Sequence, residues 1–507
     1  MTEPTTVLVP ARADHAALAA LDLPCYAVRR DGVVRLTNRR PPGRVLAEVG
    51  PLPPDRLGSA EFRRRHGVRL AYHAGAMAAG IASTDLVAAL AGAGCLASFG
   101  AAGLPAEAVE SALRRLGTLI PGLPFAANLV RGAAEARTVD LYLRAGVRCV
   151  EASGFAAPTP DLVRYRVSGL RDDHGGRTAT AHRVIAKVSR PEVAALFLAP
   201  PPADLVTALV AAGQVTAAQA RLAAATPLAD DITVEADSGG YTDRRPLSAL
   251  LPAVLRLRDA LGSPVGVGAA GGIGTPDAVA GAFATGADYV VTGSVNQSCR
   301  EAGTSPAVRR LLAGAGVTDF GTAPAADRFE HGVEIQVLHR GTRFPARARR
   351  LYELYRAHPG VEAIPARDRA ELERDVLRRP VEDVWQEVVS FFTGRDQPLL
   401  DRAARDPKLR MALVFRWYLG KAARWATSGD LDRAEDYQIW CGPAVGDFND
   451  WARGTYLADP DRRGVADVAR HLMAGAAYAT RVWQLRLAGV PLPAECREYR
   501  RSSLLRE

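Results

Sequence analysis

Gly268-Ala269-Ala270-Gly271-Gly272-Ile273-Gly274 follows an apolar run and precedes a helix opened by Thr275-Pro276-Asp277; in the next unit, Tyr289-Val290-Val291-Thr292-Gly293-Ser294 ends another apolar run in a second small-residue turn. Glycines let backbone N–H groups close on an anion, and the N-terminus of the following helix adds a favourable dipole. Two such turns in consecutive units describe a phosphate site; the alternative is a pair of purely structural turns. A dinucleotide-binding fold would place its glycine fingerprint in the first βα unit of a domain, with an acidic residue at the end of the next strand. Here the turn closes a late unit, so the single phosphate of FMN suits it better than a dinucleotide.

Working outward, short apolar runs alternate with Ala/Leu-rich helical stretches from about residue 68 to 292. The runs 70–77, 94–98, 125–130, 149–151, 184–188, 232–235, 265–269 and 289–292 are eight expected strands. Eight βα units in a row predict an α/β fold, a closed (β/α)8 TIM barrel, in which the two glycine turns follow strands seven and eight, where phosphates commonly sit. Residues 1–65, with prolines at 41–42 and between 51 and 54, form an N-terminal extension; the barrel occupies 66–343. The connection 191–229 exceeds a usual loop and carries its own helical patterns, which predicts a lid at the catalytic face. After Phe344 helical periodicity takes over, giving a helical C-terminal subdomain over 344–507.

Of the 507 residues, 48% are hydrophobic and 23% charged, so the chain should fold throughout. Its 64 Lys+Arg against 55 Asp+Glu give +9, spread along the chain with no basic tail. This argues against a dedicated nucleic-acid arm and fits either an Arg-rich surface for acidic partners, such as a phosphorylated cofactor or a carrier protein, or an ordinary soluble surface. Six separated cysteines without a C-x-x-C pair suggest neither zinc nor disulfides, and His66, His73 and His182 show no metal spacing. With no signal-peptide pattern and no apolar run of membrane length, a cytoplasmic location is expected.

Two more positions fall at the expected catalytic mouth. Ser238-Gly239-Gly240-Tyr241 follows strand six, and its small residues would let a ligand approach the backbone, unless the turn simply faces water. Lys187 ends Val184-Ile185-Ala186-Lys187, where a cation would stabilise negative charge on a reduced flavin, unless it is an ordinary exposed lysine.

These residues resemble the nitronate monooxygenase (2-nitropropane dioxygenase-like) flavoproteins. More closely, the chain is similar to the PfaD family, the trans-acting enoyl reductases of polyketide and polyunsaturated fatty-acid synthases. The similarity runs over roughly residues 55 to 495. It rests on Gly75-Ala76-Met77-Ala78-Ala79-Gly80-Ile81-Ala82-Ser83, Phe99-Gly100-Ala101-Ala102-Gly103-Leu104, Val150-Glu151-Ala152-Ser153, Ala186-Lys187-Val188-Ser189-Arg190-Pro191-Glu192-Val193, and Glu235 to Gly240. In the helical part it rests on Phe415-Arg416-Trp417-Tyr418-Leu419-Gly420 and Asp436-Tyr437-Gln438-Ile439-Trp440-Cys441-Gly442-Pro443.

The resemblance implies that Ala76 and Met77 meet the flavin ring, Asn128 hydrogen-bonds it and Lys187 lies near its pyrimidine edge. Ser238, Gly239 and Gly240 join the cofactor site, while Gly271, Gly272, Gly293 and Ser294 hold the FMN phosphate. The implied reaction reduces an enoyl thioester on an acyl carrier protein, with NADPH as electron donor and a polyketide synthase module as partner. A homodimer is compatible with it. The arginines of the helical part, including Arg410, Arg416 and Arg424, would meet the acidic carrier, unless that part is only a structural cover for the barrel.

Two positions depart from the family pattern: Tyr241 stands where a histidine is usual, and Arg131-Gly132-Ala133 replaces a His-Ser-Pro stretch. Lys187 and Tyr241 are thus the candidate catalytic residues. A same-fold oxidase, dehydrogenase or nitronate-type monooxygenase stays open, as does a flavin-free docking protein.

Overall fold

The computed structural model describes residues 12–173 and 178–499. Eight parallel strands close into a barrel in chain order: β1 Tyr72–Ala74, β2 Leu96–Phe99, β3 Ala126–Val130, β4 Cys149–Ser153, β5 Arg183–Val188, β6 Asp231–Glu235, β7 Gly266–Ala270 and β8 Tyr289–Thr292. Closure comes from β8 pairing with β1, Val290 opposite Tyr72 and Thr292 opposite Ala74. Each expected run supplies one strand. β1, β2 and β8 are buried along their whole length, as expected where side chains fill the interior and helices cover the outside.

The N-terminal end of the barrel is sealed by the helix Ala60–His66, started by Ser59, whose hydroxyl accepts from the N–H groups of Glu61 and Phe62. Phe62 stacks on Tyr289 with ring centres 4.2 Å apart. Beside it the buried Asp231 carboxylate takes Arg65 and His66, each at 2.7 Å. This ionic plug holds the end away from the glycine turns, leaving the C-terminal strand ends for chemistry.

The connection 191–229 is not a lid. Pro191–Leu198 is the ordinary helix after β5, and the additional helices Ala203–Ala211 and Ala217–Ala223 come after it, on the approach to the N-terminal end of β6. Gln219 Nε2 donates to the Ser168 carbonyl at the end of the helix Pro160–Ser168, 2.8 Å, and Leu228 N donates to Ala199 O, 2.9 Å. In a βα unit the mouth loop precedes the helix. An insertion placed after the helix therefore lies at the opposite end.

The chain divides into two compact units. The first holds the barrel, residues up to Asp237 and 243–303, together with residues from Asp450 onward. The second is Ser238–Thr242 with Thr304–Asn449, so the border expected at 343/344 falls at 303/304. The reason is the antiparallel hairpin Phe320–Pro324 with Glu334–Leu338, whose Ala323, Ile335 and Val337 share one core with Phe344, Leu351, Phe415 and Tyr418 of the following helices. The last helix, Val465–Leu487, returns to the first unit. Its Gly475 has no room for a side chain, since a Cβ would come within 2.6 Å of Pro276. Its Arg481 donates to the carbonyls of Leu18 and Ala20 at 3.0 Å and Leu21 at 2.9 Å, tying down the N-terminal segment that leads into the sheet of 25–30, 33–37 and 47–49. No single helix among the described residues is long and apolar enough to cross a membrane.

Candidate active site

At the C-terminal end of the barrel, β4, β5 and β6 lie side by side and each contributes one charge. Lys187 of β5 has Nζ 2.7 Å from Glu235 Oε1 and 3.6 Å from Glu151 Oε1; its side chain is 15% exposed, that of Glu235 17% and that of Glu151 0%. Burial alone would lower the Lys187 pKa, but the charges and hydrogen bonds of Glu235 and Glu151 raise it instead. Burial alone would raise Glu151, yet Lys187, His73, the Ser98 hydroxyl and the Ala76 N–H together hold it below the ordinary carboxylate value. One ammonium faces two carboxylates. Lys187 is neither a free cation nor an exposed surface lysine.

Glu151 is the joint of this group. Both its oxygens accept from the Ala76 N–H, at 3.2 and 3.0 Å, so the same carboxylate that faces Lys187 holds the turn after β1. His73 Nε2 lies 3.4 Å from Glu151 and 2.8 Å from Ser98 Oγ. Burial pushes its pKa down to about 4, against the pull of Glu151, so the imidazole is neutral at neutral pH. Asn128 donates through Nδ2 to Glu151 O, 3.1 Å, and Ser153 Oγ, 3.2 Å, tying β3 and β4 together.

The turn Gly75-Ala76-Met77 is laced to the turn after β2. Ala79, at φ 56°, and Gly80, at φ 74°, donate to Ala102 O at 2.7 Å and Gly100 O at 2.9 Å. A Cβ at Gly100 would fall 1.8 Å from Met77 O, so only glycine permits this approach. Ala76 and Met77 remain half-buried.

The turns after β7 and β8 each hold a glycine with open space beside its missing side chain. Gly271 and Gly272 have φ of 92° and 72°, and a Cβ built at Gly272 or at Gly293 meets no heavy atom within 4 Å. Thr275 caps the helix Pro276–Thr285, and Ser294 opens the short helix Ser294–Gln297. Below them Tyr72 Oη bonds Thr292 Oγ1, 2.5 Å, and Asn296 Oδ1, 3.3 Å, fixing the end of β8.

Ser238–Thr242 packs in the second unit, where Gly239 makes room for protein backbone. A Cβ at Gly239 would lie 2.6 Å from Cys441 Cα. Tyr241 donates its hydroxyl to Asp327, meets Trp440 edge-on at 5.8 Å and lies under Arg328 at 5.5 Å. Burial and the Asp327 carboxylate raise its pKa, making it a weaker acid than a free phenol. The arginines expected to dock a carrier are partly engaged as well. Arg410 pairs with Glu382 at 2.6 Å and Glu362 at 3.4 Å, Arg416 with Glu330 at 3.2 Å, and Arg424 is exposed.

Sequence reasoning singles out Lys187 without its carboxylates. Glu151 and Glu235 both sit near strand ends in the quoted motifs, and acidic residues on the strands flanking a mouth lysine are the signal that could have found them.

The sequence pattern of the nitronate monooxygenase family matches residues 72–340, and that described as acyl-carrier-protein S-malonyltransferase, inserted helical domain, matches 358–437. A polyunsaturated fatty acid synthase component of Thraustochytrium sp. is 45% identical over 448 residues, covering 85% of this chain and 30% of its own. Polyketide biosynthesis protein PksE of Bacillus subtilis is 42% identical over 428 residues, 82% of this chain and 55% of its own. This chain thus spans only part of the length of these relatives. The crystal structure of the enoyl reductase domain of MlnA, from the macrolactin cluster of Bacillus amyloliquefaciens, superposes with a TM-score of 0.81 at 36% identity, over 86% of this chain and 100% of that one. On these similarities the chain belongs to the nitronate monooxygenase family of oxidoreductases, in the PfaD group, with components of polyketide and polyunsaturated fatty-acid synthases and the MlnA enoyl reductase domain as its relatives.

Proposed function

We propose that this protein is an FMN-dependent, trans-acting enoyl reductase that saturates the α,β-double bond of acyl thioesters held on an acyl carrier protein, with NADPH as hydride source. The observation that carries the reading is the open space beside the missing Cβ of Gly272 and Gly293, at the barrel end that also holds the Lys187 group. The residues fit the cofactor. Gly271, Gly272, Gly293 and Ser294 would hold the phosphate, Asn128 would offer its amide oxygen, and the half-buried Ala76 and Met77 would bound the ring.

Bound there, FMN supplies two-electron hydride transfer between NADPH and the β-carbon of the enoyl thioester. The chain fixes the ring-facing turn through Glu151 and Ala76 N and braces the end of β8 through Tyr72. It does not offer Tyr241 as a ready acid, because that hydroxyl serves Asp327; water is the proposed source of the α-carbon proton. The carrier protein or synthase module is the proposed partner, consistent with the naming of its relatives.

Anaerobic mixing of the purified protein with NADPH, followed by an enoyl-carrier-protein, tests the reading. Flavin bands should bleach with NADPH and return with the enoyl substrate. Return only with oxygen would replace the reductase by an oxidase or a nitronate-type monooxygenase. Protein that binds no flavin would be a docking protein.

A further inference from the structure

Building on the FMN reading, we infer that Glu151 and Glu235 outweigh Lys187 and hold the reduction potential of the bound flavin low, making the site a strong hydride donor. The geometry is that of one ammonium on β5 between carboxylates on β4 and β6, with Nζ–O distances of 3.6 and 2.7 Å. Glu151 is fully buried, where charge is poorly screened and acts over a longer range than at the surface.

The neighbouring groups do not restore neutrality. His73, 3.4 Å from Glu151, is pushed down to about 4 by burial and carries no charge at pH 7. Asp231 starts β6 and pairs with Arg65 and His66 at the other end of the barrel. What remains around Lys187 is a net negative charge.

Two-electron reduction adds negative charge to a flavin, and a net negative surrounding disfavours it, so the oxidised form binds better and the potential falls. The same carboxylate fixes the ring-facing turn, because both oxygens of Glu151 hold Ala76 N–H. Geometry and potential are set by one residue. A lone lysine at this position would do the reverse and raise the potential.

The experiment is a redox titration of bound FMN at pH 7 in the holoenzyme and in Glu235→Gln, Glu151→Gln and Lys187→Met. Each neutralised carboxylate should change the ratio of reduced to oxidised affinity about tenfold in favour of the reduced form, close to +30 mV for a two-electron couple. Lys187→Met should move the potential the opposite way. Unchanged potentials, or shifts of the same sign in Glu235→Gln and Lys187→Met, would overturn the inference. Should Glu151→Gln fail to fold, Glu235→Gln decides, since that carboxylate is partly exposed; loss of flavin from folded Glu235→Gln would assign it a structural role and also overturn the inference. Absence of flavin from the unmodified protein would sink the cofactor reading itself. Potentials that move as expected while enoyl thioesters fail to reoxidise the flavin would leave the inference standing and remove the reductase.

Discussion

The turns after β7 and β8 and the turn after β6 are all made of glycine, but the space around the missing side chain differs. At Gly272 and Gly293 an added Cβ meets nothing within 4 Å, whereas at Gly239 it would lie 2.6 Å from Cys441 Cα and 2.7 Å from Cys441 N. Beside the first two positions the space of the missing side chain is open; at the third it is filled by the protein's own backbone. Gly271 is of the filled kind although it neighbours Gly272: its φ is 92° and a Cβ would come within 2.8 Å of the Ala236 carbonyl carbon. Glycine at a barrel mouth thus answers two different needs, room for a neighbouring backbone and open space beside the chain, and only the second speaks directly for a ligand.

The largest effect that would test this contrast is expected from Gly239→Val. Its side chain would enter main chain that cannot rotate away, and overpacking of this kind costs about 1–3 kcal/mol or more. Thermal unfolding should shift down by several degrees, while the flavin content of molecules that remain folded should hold. An unchanged Tm would show that the second unit yields easily at Cys441, and the contrast would collapse.

Gly272→Val should act through the ligand more than through the fold. The position has φ of 72°, a region that costs a β-branched residue roughly 1–2 kcal/mol, but no atom blocks the new side chain. FMN affinity, measured by fluorescence on apoprotein, should weaken more than tenfold. Gly293→Ala should be milder still, because its φ of −134° is not left-handed and the space beside its missing Cβ is open. Stability should stay within about 0.5 kcal/mol of the parent and FMN affinity should fall several-fold. Full FMN affinity in both variants would remove the phosphate from these turns.

The same contrast shows what the sequence could and could not reveal. The eight barrel strands were legible because a strand buried on both faces is an apolar run, and each run was punctuated by a helix of different period. The β7 and β8 turns were legible because glycine directly after such a run is a local pattern. The Glu151–Lys187–Glu235 group was not, since it exists only when β4, β5 and β6 are neighbours and their ends align, a consequence of barrel closure. The place of the extra helices in 191–229 was not legible, because connection length does not say on which side of a helix the extra residues fall. The unit border was hidden for a similar reason: the hairpin at 320–338 has strand-like alternation, although it packs with the helices that follow and not in the barrel.

The smallest effect is expected from Tyr241→Phe, and it bears on the turn after β6 as directly as Gly239 does. A histidine at this position would be able to give a proton near neutrality, and a phenol with a reference pKa of about 10 is already a poorer donor. Here burial and the Asp327 carboxylate raise it further, and the hydroxyl proton is directed at Asp327. The ring, 37% exposed, keeps its edge contact with Trp440 and its place under Arg328 when the hydroxyl is removed. Reoxidation of reduced flavin by an enoyl-carrier-protein should therefore change by less than about twofold, since no catalytic proton is lost. Stability should drop by no more than about 1 kcal/mol, because Asp327 can turn to water at this partly exposed site. A stopped-flow trace in which Tyr241→Phe slows reoxidation a hundredfold, with NADPH bleaching unaltered, would make the tyrosine an acid after all. It would also show that the turn after β6 serves the substrate as well as the packing against Cys441.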